Sequence, residues 1–181
     1  MFFPEGLTMS NKGYHSSVIS LPVFTCILYL FNCQAVNAGA PSDACALLTA
    51  PQVSSELGAV VGPGEPMMRD KPMVCTWREQ GVPAGAERNV SVSLMTSKSF
   101  EFGKTSTALM TKTPVSGVGD EAYFTEPRGM VASLSVRKGD TFFQIRTRSN
   151  AQWAKTGKTP ESEVKDHAVD RALALEILKK L

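Results

Sequence analysis

The residues of this 181-residue chain that could do chemistry are few and poorly spaced for it. Serine is abundant, but no Gly-x-Ser-x-Gly elbow is present to present one as a nucleophile. Beyond residue 38 the single histidine is His167, set between Asp166 and Ala168 near the chain's end, so a Ser-His-Asp triad is not supported. His167 is expected on a helix surface, partly exposed, rather than as a general base. Gly117-Val118-Gly119-Asp120 has glycines that let backbone amides approach an anion and an aspartate suited to a hard cation. It lacks a Walker lysine and serine, and it lacks acids at alternate positions, so a conformational turn feeding a strand is expected. A hydrolase would draw on Asp120, Glu121 and Glu126. Strand alternation puts Glu121 and Thr125 on one face and Glu126 on the other, which is not an acid and base pair. The reading is therefore of no catalytic residue, no cofactor and no metal ligand set.

The cysteines point to compartment rather than to catalysis. Cys26 and Cys33 fall in or beside an apolar N-terminal stretch, and Cys45 and Cys75 remain. A redox pair would place its cysteines two apart, and a metal would want further Cys or His ligands. A structural disulfide between Cys45 and Cys75 is expected, as outside the cytoplasm. Closing a loop of this length stabilises a fold by about 3.6 kcal/mol in the chain-entropy model.

Export is expected from the N-terminus. Lys12 precedes the apolar run from Val18 to Phe31, and Ala35-Val36-Asn37-Ala38 supplies small residues for cleavage before Gly39. The run is shorter than the roughly 20 residues a membrane-spanning helix needs, and Pro22 interrupts it. Residues Met1–Thr8 carry Glu5 and no basic residue, so Met9 is an alternative start. Phe31 and Asn32 are too large for a lipobox before Cys33, and no polybasic patch supports an anchor there. Residues 1–38 are read as a signal peptide and 39–181 as one secreted domain. The net charge of +2 argues against a dedicated nucleic-acid protein.

Hydrophobic period sets the elements. Asp43 opens a short helical piece, and Thr49-Ala50-Pro51-Gln52 carries a capping box for a second that ends at Gly58, with Val53 and Leu57 inward. In Met73-Val74-Cys75-Thr76-Trp77 the alternation sets Met73, Cys75 and Trp77 on one face, toward the opening helix. Residues 89–95 alternate cleanly, with Val90, Val92 and Leu94 inward. Ser99 to Met110 reads as a short helix or a packed excursion. Strands at 121–125, 130–137 and 141–148 follow, joined by glycine-containing turns. Met130, Ala132, Leu134 and Val136 make the inward face of the middle one, and Phe143 and Ile145 that of the last. Thr159-Pro160-Glu161 opens a long helix whose core stripe is read as Val164, Ala168, Ala172, Leu175 and Leu178. The expected fold is α+β: an antiparallel sheet of about five strands packed by short N-terminal helices and a long C-terminal helix, with one disulfide.

Opposite the core, the last two strands present Ser133, Ser135, Arg137, Gln144, Arg146 and Arg148, with Lys155 nearby. Antiparallel sheets commonly keep one face wet, and this one is moderately basic. It is the candidate binding face for an acidic partner or an anionic polymer. Phe142 is the one aromatic expected there, too few for stacking single-stranded nucleic acid.

Cys45-Ala46-Leu47-Leu48-Thr49, Leu57-Gly58, Cys75-Thr76-Trp77 and Val118-Gly119-Asp120-Glu121-Ala122 together resemble a broad class of small exported bacterial domains of unknown function, many of them lipoproteins. The resemblance covers most of residues 43–181 and carries no catalytic residue across. The element order is also similar to the sandwich folds of PsbP-like and Mog1-like proteins. The functional expectation is a non-enzymatic exported binding or accessory domain. Its partner would be a protein or envelope component, met through the sheet face or through loops 62–72 and 79–88. Alternatives are a small-molecule carrier with a cavity under the last helix, or a hydrolase.

Overall fold

The computed structural model describes residues 40–68, 73–105, 107–128, 130–150, 157 and 159–181. The segment read as a signal peptide, with Cys26 and Cys33, lies outside the described residues, as do Gly129 and Lys155. Among the described residues, seven strands form one antiparallel sheet. They are β1 (Glu65–Pro66), β2 (Val74–Arg78), β3 (Asn89–Leu94), β4 (Met110–Val115), β5 (Glu121–Pro127), β6 (Ser133–Lys138) and β7 (Thr141–Arg148). Their order is β1-β2-β3-β7-β6-β5-β4, two meanders that meet where β3 pairs with β7. A 3-10 turn (Ala44–Ala46) and helices α1 (Ala50–Leu57), α2 (Ser97–Gly103) and α3 (Pro160–Leu178) complete the domain. None of these helices is long and apolar enough to cross a membrane.

The expected count of about five strands is corrected to seven. The two additions are β1 and β4, the edges of the sheet, where the sequence shows no alternation to read. Pro114 sits within β4, which an edge strand tolerates because the missing N–H is needed by no further neighbour. The excursion after β3 resolves into α2, capped by Thr96, followed by β4 starting at Met110.

Local signals place the helices as read. Thr49 and Gln52 form a reciprocal capping box at the start of α1, and Gly58 closes it with φ of +66°, a left-handed conformation that glycine adopts without strain. Thr159 and Ser162 cap α3, with Pro160 in its first turn.

The phase of α3 is different from the expected one. Val164 is 72% exposed and Leu175 45%, Ala168 is also exposed, and Ala172 and Leu178 lie at the margin. The buried stripe is Asp166, Val169, Asp170, Leu173, Ala174 and Ile177. Leu173 and Ile177 are the bulky fully buried anchors, and two aspartates occupy the same stripe, so a search for apolar residues alone finds the wrong side. Beneath the helix, Ala122, Phe124, Leu134, Val136, Phe143 and Ile145 belong to one packed cluster with it.

Cys45 and Cys75 are bonded, with Cα atoms 5.1 Å apart, which fixes the 3-10 turn against β2. Cys75 and Trp77 are buried on the core face as expected, whereas Met73 precedes the strand and is 38% exposed. The approach is tight here: a Cβ on Gly64 would lie 2.7 Å from Cys75 Sγ and 2.9 Å from the Trp77 ring. Met130, read as inward, is exposed because β6 begins only at Ser133.

Candidate functional site

Alternation along β7 sends Phe143, Ile145 and Thr147 into the core and leaves Phe142, Gln144, Arg146 and Arg148 on the other face. Strand registers extend this face into a row crossing all seven strands. Glu65 lies opposite Thr76, Thr76 opposite Ser91, and Ser91 opposite Arg146. The β6–β7 register puts Ser133 beside Arg146; Ser133 then lies opposite Thr125, and Thr125 opposite Lys112. Thr76 and Ser91 are hydrogen-bonded at 2.9 Å, and Lys112 Nζ donates to Thr125 Oγ1 at 2.7 Å. Burial lowers the pKa of Lys112 from the ordinary lysine value. Strand spacing sets Arg146 and Lys112 about 14 Å apart at the backbone, with Ser133 and Thr125 between them.

The outer face is covered at one end and open at the other. Over the closed end, α2 lays Phe100, fully buried, against Tyr123 and Phe142 with ring centroids 5.1 and 5.4 Å away. Tyr123 Oη donates to the Phe100 carbonyl at 2.8 Å. Gly103 permits this contact, because a Cβ there would sit 2.3 Å from Tyr123 Oη. Among the described residues Phe142 is thus one of three aromatics packed together over this face, and they pack on one another rather than offer a stacking platform. Over the open end, a cavity of about 430 Å³ is lined by Thr125, Ser133, Gln144 and Arg146 and rimmed by Met110, Met130 and Val131. A second concavity of about 190 Å³, lined by Met67, Val74, Ser91 and Ser93, shares Gln144 and Arg146 as its wall.

The six residues of the candidate binding face therefore have different roles. Ser133 and Ser135 are buried rather than solvated, and Gln144 Nε2 donates to Ser135 Oγ at 3.2 Å. Arg137 pairs with Glu121 at 3.4 Å. Arg148 donates to the Glu87 carbonyl at 2.7 Å. Arg146 alone of the three arginines is exposed and makes no hydrogen bond or ion pair with a described residue. Thr125, read on one face of its strand with Glu121, completes the cavity's polar side, whereas Lys112, which donates to it, was hidden from sequence reasoning because β4 carries no strand pattern.

Asp120 accepts from Gly139 N at 2.7 Å and Lys138 Nζ at 3.0 Å, contacts that hold its carboxyl below the usual range and tie the glycine turn to the β6–β7 hairpin. A Cβ on Gly119, whose φ is +63°, would meet the Arg137 carbonyl at 2.4 Å, so the motif is a conformational turn. Glu121 is held by Lys104 at 2.8 Å. Glu126 lies on the opposite face, 3.8 Å from His167 Nε2. His167 is half-buried and stacked on Phe124, centroids 3.9 Å apart. A larger cavity of about 570 Å³ at the chain's C-terminal end is lined by Ala40, Leu47, Lys138 and Lys180. Both its lysines are engaged, Lys138 with Asp120 and Lys180 with the Leu47 carbonyl.

Among the described residues two acids, Asp166 and Asp170, are buried in the core itself. Asp166 Oδ1 accepts from Ser149 N at 2.8 Å, and burial raises its pKa. Asp170 is fully buried with both carboxylate oxygens unpaired, and desolvation raises its pKa well above the ordinary value. The neighbouring Thr147 opposes that shift but forms no hydrogen bond of good geometry, and its own hydroxyl is unpaired.

Comparison with protein-family models, with curated proteins and with solved structures gives no match to this chain.

Proposed function

We propose that the domain is an exported, non-enzymatic binding or accessory module that holds an acidic segment of an envelope protein against the open end of its outer sheet face. One observation carries this reading: Arg146, exposed and without a hydrogen bond or ion pair to a described residue, lines a cavity together with the hydroxyls of Ser133 and Thr125, the latter hydrogen-bonded by Lys112. A carboxylate about 4 Å from such a guanidinium gains roughly 1 to 4 kcal/mol, depending on how much water the contact excludes. The methionine rim suits the apolar residues that flank acids in a peptide, since the thioether side chain adapts to varied shapes. The signal-like N-terminus and the Cys45–Cys75 bond support export.

A fluorescent peptide alternating glutamate and leucine, compared by anisotropy with its lysine and leucine counterpart, tests the reading. The acidic peptide is expected to bind, to weaken as salt rises, and to bind at least about tenfold more weakly to Arg146→Glu, a loss of about 1.4 kcal/mol. Lys165→Glu, exposed on α3, is expected to bind like the parent. Equal binding of the two peptides, or indifference to Arg146→Glu, overturns the proposal.

A further inference from the structure

We infer that Glu126, Glu163 and His167 form a binding site for a divalent first-row transition metal of the zinc type. Each offers one ligand atom, and the three atoms lie within 4.8 Å of one another. They come from two rigid elements: Glu163 and His167 are four apart on α3, hence on one helix face, and Glu126 is near the end of β5. The imidazole is already oriented, because it lies at 19° to the Phe124 ring with centroids 3.9 Å apart. Its Nε2 atom is shielded from solvent, makes no hydrogen bond and is 3.8 Å from Glu126 Oε1, too long for one. A shielded ring nitrogen fixed beside two carboxylates, with no hydrogen bond of its own, is what a cation would complete.

The donor chemistry narrows the ion. One imidazole and two carboxylates suit zinc and its neighbours, whereas calcium prefers an all-oxygen shell of higher number and cuprous ions prefer sulfur. Donors about 2.0 to 2.1 Å from a tetrahedral zinc are about 3.4 Å apart, so the observed spread closes by small carboxylate rotations. Both glutamates also line a surface cleft of about 320 Å³ with Leu109, Thr111 and Arg128, which gives the ion an entry path and leaves further coordination positions for water or a ligand. This site is on the helix side of the sheet and does not depend on peptide binding at Arg146.

Titration calorimetry of the full chain with zinc chloride, with its disulfide intact and with Cys26→Ser and Cys33→Ser to remove competing thiols, tests the assignment. One ion per chain is expected to bind. His167→Ala and Glu163→Gln are each expected to weaken binding tenfold or more, while Glu161→Gln, one turn-edge away on α3, is expected to change it less than twofold. Glu163→Gln keeps the packed His167–Phe124 pair, so its result stands even if His167→Ala fails to fold. No binding in the parent, or binding that Glu163→Gln leaves within twofold, overturns the inference.

Discussion

Asp170→Asn is expected to make the domain more stable at neutral pH, by on the order of 1 to 3 kcal/mol, and to flatten its dependence on pH. The carboxyl is fully buried with neither oxygen paired, so ionisation costs desolvation that the fold does not repay. Its pKa is raised in the folded state and the pKa of Asp166 is raised with it, burial being the main cause in both. Between the unfolded and folded pKa values the native state then binds more protons than the unfolded chain. The contribution is fully present below the unfolded value, about pH 4, and is lost as pH rises through the folded values. Carboxylates with the opposite shift act lower on the scale. Glu79, hydrogen-bonded by Arg88, and Asp120, hydrogen-bonded by Gly139 N–H and Lys138, stabilise above their unfolded values and lose that contribution as pH falls through their folded ones. Urea unfolding of the parent from pH 8 to pH 5 is therefore expected to show stability rising, and Asp170→Asn to remove most of the rise. A variant less stable than the parent at pH 8, or one with the parent's full pH slope, would show that Asp170 is paired and ionised in the fold.

Breaking the disulfide is the second large effect. Cys45 and Cys75 close a separation of 30 residues, and loss of that constraint is expected to cost about 3.6 kcal/mol. For a domain of this size the melting temperature should fall on the order of 10 °C. The Cys45→Ala, Cys75→Ala double variant, melted beside the reduced and oxidised parent, checks this. The bond also holds the 3-10 turn against β2 where Gly64, Trp77 and the cystine pack within van der Waals reach, so the loss should include packing as well as chain entropy. A fall of less than 2 °C would mean that the turn is held equally well without the covalent link.

Sequence reading reached those parts of the fold in which local chemistry and tertiary burial agree. Capping at Thr49 and Thr159 is written in adjacent residues, and β3 shows its buried face in Val90 and Val92. It failed where burial and polarity disagree. Asp166 and Asp170 occupy core positions of α3, so the inward stripe does not look apolar, while exposed Val164 and Leu175 imitate one. The edge strands failed for a related reason: with one neighbour each, β1 and β4 need neither alternation nor a complete set of N–H donors.

The candidate site follows the same division. Arg146 and Gln144 were legible because β7 alternates. That Ser133 and Ser135 are buried was not, since α2 and the methionine-bearing segments around Met110 and Met130 cover the outer face only in the folded chain. The four-residue spacing of Glu163 and His167 is visible in the sequence, but Glu126 joins them only through the packing of α3 on β5, announced by the stacking of His167 on Phe124.

An amide NMR titration of the protein with the acidic peptide locates the contact residue by residue. Binding at the outer sheet face predicts shifts clustered at Thr125, Ser133, Gln144 and Arg146 that vanish in Arg146→Glu. Shifts centred on α1 or α3, or a spectrum unchanged at peptide excess, would contradict it.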